Sequence, residues 1–134
     1  MLSTKVFCTL SFEGIHHYPE APSEVSYLRD MHRHKFGVRV EMEVFDDDRE
    51  VEFIMLKHRI SRYLSQLLLT DESTQLFNLG AASCEQVAKA IVHKLLEWYG
   101  ERDMVVTVDE DGENGAVVCY DTKDASRVEV GCIA

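Results

Sequence analysis

Two segments near the start of the chain alternate between apolar and polar residues with the period of a strand. In residues 5–15, Val6, Cys8, Leu10 and Phe12 fall on one side and Thr9, Ser11 and Glu13 on the other, which is the pattern of a strand with one buried face. The alternation in residues 34–45 is stricter. His34, Phe36, Val38, Val40, Met42 and Val44 share one face, and Lys35, Arg39, Glu41 and Glu43 share the other. A slip of one residue would bury the charged set, so the register is strongly specified. The acidic run Asp46-Asp47-Asp48-Arg49 then interrupts the pattern and reads as a solvated turn, without the alternation and glycine of a calcium loop.

From Glu52 the period becomes helical, with Phe53, Leu56, Ile60, Tyr63, Leu64 and Leu67 forming a stripe. Residues 70–82 read as a polar loop. A second helix follows, with Ser83 as N-cap, Glu85 and Gln86 in its first turn, Val87, Ile91, Leu95 and Trp98 on its core face, and Gly100 just past its end. Residues 104–110 and 116–120 alternate again as two strands, joined by a DGENG turn that suits a hairpin. Residues 127–130 read as a further edge strand. The order β-β-α-α-β-β predicts an α+β fold, an antiparallel sheet carrying both helices on one face. A four-stranded sheet of this kind has two open edges, and closing them against other copies predicts a homo-oligomer.

At 134 residues the chain is expected to form one domain, residues 1–134. Hydrophobic residues make up 46% and charged residues 28%, as in ordinary globular proteins. Asp and Glu number 24 against 14 Lys and Arg, a formal net charge of −10. That balance excludes non-specific binding to nucleic acid or to an anionic membrane surface, both of which need a concentrated positive field. No apolar run approaches the roughly 20 residues of a membrane helix, and the N-terminus lacks the apolar core of a secretory signal. Cys8, Cys84, Cys119 and Cys132 are widely spaced without a CxxC pair. Together these features predict a cytoplasmic protein with reduced thiols that serve packing.

The histidines add chemistry to this picture. Five of the six lie in the first 58 positions, and two form His32-Arg33-His34 at the start of the second strand. Residues i and i+2 of a strand project to the same side, so both imidazoles can reach one ion. His16 and His17 close the first strand. If residues 18–31 form a hairpin-like excursion, that end lies beside the start of the second strand, and His16 or His17 completes a three-histidine site. Three imidazoles with an open fourth position are the arrangement of a catalytic zinc ion. His58 and His93 lie off the apolar helix stripes and read as surface residues.

These residues also resemble a family. Phe12-Glu13-Gly14-Ile15-His16 followed by Met31-His32-Arg33-His34 is similar to the FxAxH and LHGH segments of the 6-pyruvoyltetrahydropterin and 6-carboxytetrahydropterin synthases. Residues 52–57 (EFIMLK) resemble that family's DFxxLK helix opening, residues 83–88 (SCEQVA) its PTSExxA opening, and Val108-Asp109-Glu110-Asp111 its VxET strand end. The resemblance implies a T-fold subunit assembled as an oligomeric barrel, trimers stacked into hexamers. It implies Zn2+ held by His16, His32 and His34, and a pterin or related nucleotide bound by Glu110 and Ser83. The Glu110 carboxylate would accept two parallel hydrogen bonds from the N–H and amino edge of the ring.

The departures fall on the catalytic machinery. Family synthases usually carry a cysteine as base four residues before the first histidine of HxH, and that position here is Leu28, which has no ionisable group. The loop before the second helix keeps Asp71 but lacks the family's neighbouring histidine. Glu24, Asp30, Tyr27 and His17 are the other candidate bases, some relatives using a glutamate from this region. Arg33 replaces a small glycine between the two ligands. It reads either as a cation for substrate phosphate or as a solvated residue of the opposite strand face. The expectation is therefore a zinc-dependent synthase-like protein acting on dihydroneopterin triphosphate or a related pterin with an altered base. The alternative is a zinc-containing pterin- or purine-nucleotide-binding protein without turnover.

Overall fold

A computed structural model of the chain describes residues 1–123. β1 (Thr4–His16) and β2 (His32–Val44) pair antiparallel along their whole length, from Thr4 opposite Val44 to His16 opposite His32. The connection between them carries a short 3-10 segment, Ser23–Arg29. β5 (Met104–Glu110) pairs with the other edge of β2, and β6 (Asn114–Tyr120) pairs with β5 through a tight hairpin. This register puts Leu10, Val38, Val108 and Ala116 in one cross-strand row, so the even-numbered apolar residues of all four strands share one face. Phe36, Val40, Met42, Met104, Val106 and Val108 on that face are fully buried. Each such side chain contributes about 1.5–3 kcal/mol relative to exposure.

Both helices pack on this face. α1 (Phe53–Leu67) buries Leu56, Ile60 and Leu64, and α2 (Cys84–Tyr99) buries Val87, Ala88, Ile91, Val92 and Leu95 in the same cluster. At the ends of the expected α1 stripe, Phe53 and Leu67 are exposed, because the helix meets the sheet only through its middle turns. Glu52 caps α1 by accepting from the Ile54 and Met55 N–H groups. Ser83 and Gln86 form a reciprocal capping box on α2. Gly100 ends α2 with φ +80°, a conformation that favours glycine.

The expectation of a four-stranded, wholly antiparallel sheet is corrected in one region. Residues 70–82 are not simply a loop. β3 (Leu69–Thr70) and β4 (Phe77–Gly80) form a short hairpin, and β4 adds to β1 in parallel, which gives a mixed six-stranded sheet in the order β3-β4-β1-β2-β5-β6. Pieces of two and four residues carry too few alternations to be read from sequence. β4 also brings Leu79, 6% exposed, over Gly14. Cys119 is disulfide-bonded, so the expectation of four reduced thiols does not hold there; Cys8 and Cys84 are free and buried. The edge strand expected at residues 127–130 lies outside the described residues, as does Cys132.

Candidate metal centre

The apolar stripe of the inner face gives way, at one end of the sheet, to donor atoms. His16 ends β1 and stands directly across from His32, the first residue of β2. His34 follows two residues later on the same face, opposite Gly14, whose missing side chain leaves room for packing: a Cβ there would lie 2.8 Å from Leu79 Cδ1 and 3.1 Å from Phe36 Cε2. Glu110 ends β5 and pairs with Phe36, one diagonal step from His34. The three imidazole centroids are 4.6, 5.3 and 5.0 Å apart in the pairs His16–His32, His16–His34 and His32–His34. One ligand atom from each of His16, His32, His34 and Glu110 lies within 4.8 Å of all the others. Between the two histidines offered by sequence, the structure selects His16. His17 falls on the next residue, its ring Nδ1 3.3 Å from the Arg29 carbonyl oxygen.

Every ring in the cluster has its Nδ1 engaged from behind. His16 Nδ1 is 3.3 Å from the Ala82 carbonyl oxygen, His32 Nδ1 2.8 Å from that of Asp30, and His34 Nδ1 2.7 Å from Asp111 Oδ2. These partners are acceptors, so each ring donates from Nδ1 and presents the lone pair of Nε2 to the centre. Glu110 Oε2 stands 2.9 Å from His16 Nε2 and 3.4 Å from His34 Nε2. The first contact is close enough for an ion pair but lacks hydrogen-bond geometry, and His16 Nε2 is a buried nitrogen without a hydrogen-bond partner. With neutral imidazoles, the cluster is a set of acceptors facing one another. Only a proton or a cation relieves that arrangement, and the donor set of imidazole nitrogens and one carboxylate suits a borderline divalent metal. Burial of the His16 ring, 12% exposed, pushes its pKa below the ordinary 6.5, and the neighbouring His32 and His34 act in the same direction against the Ala82 carbonyl and Glu110. The neutral, ligating form is thereby favoured.

An open cleft of about 560 Å³ adjoins the cluster, with His16, His17, Ser83, Cys84, Glu85 and Glu110 among its walls. Ser83 Oγ accepts from the Gln86 N–H at 3.2 Å, so its structural task is the helix cap. Cys84 is no substitute base: burial first, then Glu110, Glu85 and Asp109, push its thiol pKa to about 12.

Of the candidate bases, only His17 lines the cleft. Glu24 is exposed on the 3-10 segment, and Tyr27 is exposed beside it. Leu28 uses its carbonyl to accept the Tyr18 N–H at 2.7 Å. The backbone of Asp30 holds His32. Asp71 is committed to its own turn, accepting from Ser73 Oγ and from Thr74 N and Oγ1, which holds its pKa below the usual range. Arg33 pairs with Glu13 on the opposite, solvated face of the sheet, as the strand alternation requires. Sequence reasoning missed Asp111 and the Ala82 and Asp30 carbonyls. Backbone acceptors carry no residue signature, and Asp111 was hidden inside an ordinary turn sequence.

No family model matches the sequence, and no curated protein matches it. Solved structures do. The chain superimposes on 6-pyruvoyltetrahydropterin synthase from Plasmodium vivax, solved as a variant with a catalytic glutamate replaced by alanine, with a TM-score of 0.63 and 17% identity over 90% of this chain and 99% of that one. The corresponding Plasmodium falciparum protein matches with a TM-score of 0.61 and 16% identity, over 88% and 98% of the two chains. At these identities the likeness establishes the fold, that of the 6-pyruvoyltetrahydropterin synthases.

Proposed function

We propose that this chain is a zinc-dependent 6-pyruvoyl- or 6-carboxytetrahydropterin synthase-like protein, acting on dihydroneopterin triphosphate or a related pterin with an altered catalytic base. The observation that carries the reading is the convergence of His16, His32, His34 and Glu110 beside a cleft, on the fold of a tetrahydropterin synthase. In this reading the three histidines hold the ion through Nε2. Bound zinc supplies Lewis-acid polarisation of the hydroxyls on the substrate side chain. Glu110 accepts paired hydrogen bonds from the ring edge and fixes its orientation. Ser83 borders the ligand at the α2 N-terminus, where no described acceptor takes its hydroxyl proton.

Proton abstraction falls to His17 or Glu24. His17 has the position, in the cleft wall next to a ligand. Glu24 has the analogy, because the Plasmodium vivax protein uses a glutamate as a catalytic residue. The protein is proposed to work in the cytoplasm as a homo-oligomer. A second reading, pterin or purine-nucleotide binding without turnover, draws on Leu28, on the sequestered Asp71 and on the high thiol pKa of Cys84.

Metal analysis tests the first step. The purified protein is expected to carry about one zinc per chain and the His16→Ala, His32→Ala and His34→Ala variants to carry little; full occupancy in all three discards the site. Incubation with dihydroneopterin triphosphate then separates the readings. Loss of the side chain or triphosphate, abolished in His17→Ala or in Glu24→Ala, identifies an enzyme and its base. Binding without conversion identifies a binder.

A further inference from the structure

Asp111 touches the cluster only from behind, through His34 Nδ1. It is the first residue of the β5–β6 turn, and it lies in the left-handed region at φ +58°, uncommon for a residue with a side chain. Its backbone N–H donates to the Lys35 carbonyl at 2.7 Å, which extends the β5–β2 ladder one step past Glu110. In a continued strand the side chain of residue 111 would point to the face opposite Glu110. Here it reaches the inner face, where Oδ2 accepts from His34 Nδ1 at 2.7 Å while Oδ1 accepts from the Lys35 N–H at 2.8 Å.

The two oxygens divide the work. One is pinned by the backbone of β2, and the other is thereby held on Nδ1, leaving the Nε2 of the same ring facing the cluster. The other two rings are braced by main-chain carbonyls, whereas His34 alone is braced by a carboxylate.

Building on the metal reading above, we propose that Asp111 is a positioning residue for the metal centre. It fixes the tautomer and ring orientation of His34 and raises the basicity of its Nε2, as carboxylate–histidine pairs do behind metal ions. The left-handed turn serves to aim the carboxylate.

Asp111→Gly is the informative variant, because glycine keeps the φ +58° turn at no steric cost and deletes only the carboxylate. Zinc affinity is measured by competition with a chromophoric chelator. The His34 tautomer is read from 15N–1H NMR of the apo protein at pH 8, and apo melting is recorded alongside. The expected result is affinity about 10–100-fold weaker in Asp111→Gly, a His34 Nδ1–H signature present before the substitution and lost after it, and apo melting little changed. Unchanged zinc affinity overturns the proposal, as does a His34 that already carries its proton on Nε2. Lower apo stability with affinity retained shows a turn residue only and also overturns it. The two readings fail differently. Zinc binding abolished by His32→Ala but untouched by Asp111→Gly defeats Asp111 alone. No zinc binding in the unsubstituted protein defeats the metal reading and this inference with it.

Discussion

At the scale of single residues, Glu110 carries the greatest functional ambiguity. Its carboxylate oxygen stands at ligand-to-ligand distance from His16 and His34, and the same residue lines the cleft. As a fourth metal ligand it would close the centre; as a ring anchor it would leave the fourth position to substrate. Glu110→Gln separates these roles, because the amide is isosteric but neutral and accepts through one oxygen. The anchor role predicts zinc affinity within a few-fold of the unsubstituted protein and pterin binding weakened by at least about tenfold, since a charge-assisted bidentate pair is lost. Titration of both ligands by calorimetry checks it, and zinc binding lost together with pterin binding assigns Glu110 to the metal. Strand spacing put His32 and His34 on one face, with His16 or His17 nearby, whereas Glu110 was reached only through the family resemblance. Strand spacing left His16 and His17 both open as the third donor, and the structure selects His16 by placing it opposite His32. Spacing could not reach the Ala82 and Asp30 carbonyls, whose contribution depends on where the chain returns in space.

At the scale of elements, the site depends on how closely β4 packs on the end of β1. Gly14 is the contact point. It is buried on the inner face, and a Cβ there would meet Leu79 and the fully buried Phe36 at less than ordinary contact distance. Phe36 in turn packs edge-on against the His16 and His34 rings, with centroids 5.1 and 5.9 Å away. Gly14→Ala is therefore expected to lower stability by about 1–3 kcal/mol through overpacking, and to weaken metal binding by displacing the rings. Urea denaturation with and without zinc measures both; a variant as stable as the parent shows that β4 yields freely. The β3–β4 hairpin that creates this contact was read as loop from sequence. Its pieces are too short to show a period, and the hairpin joins the main sheet through β1, more than sixty residues earlier.

At the scale of the whole molecule, the end of the sheet opposite the site is tied together by Arg102, which is 8% exposed. Its guanidinium donates to the Glu43 and Tyr99 carbonyls and to Glu50 Oε2, joining the end of β2, the end of α2 and the loop before α1. The Glu50 carboxyl, held by the Phe45 N–H first, then by Arg102 and the Asp46 N–H, has its pKa drawn down from 4.5 to about 2. The folded state thus binds this proton less readily than the unfolded state. The stability it contributes is present above pH 4.5 and disappears as pH falls toward 2. Glu50→Gln should flatten the dependence of the denaturation midpoint on pH across that window; an unaltered slope would show that the carboxylate is not linked to folding. Assembly belongs to this scale as well. Among the described residues no Lys or Arg lines the cleft, while Glu85 and Glu110 do, and the chain carries a net charge of −10. In the proposed homo-oligomer, a second protomer bringing cations to this cleft would offset that charge for a triphosphate substrate. Light scattering is expected to return an integer multiple of the protomer mass, three or six times for a closed barrel, and a monomer sinks that expectation.

The sequence by itself determined the long strands and both helices, the buried face of each long strand, and the spacing that puts His32 and His34 on one side of β2. These follow from local periodicity, because alternation and helical spacing record which side of each segment leaves water. Only the tertiary structure decided that β4 joins β1 in parallel, that main-chain carbonyls brace two of the rings, and that Asp111 turns back onto His34. Those facts depend on contacts between distant parts of the chain and on one left-handed residue. Neither leaves a period in the sequence.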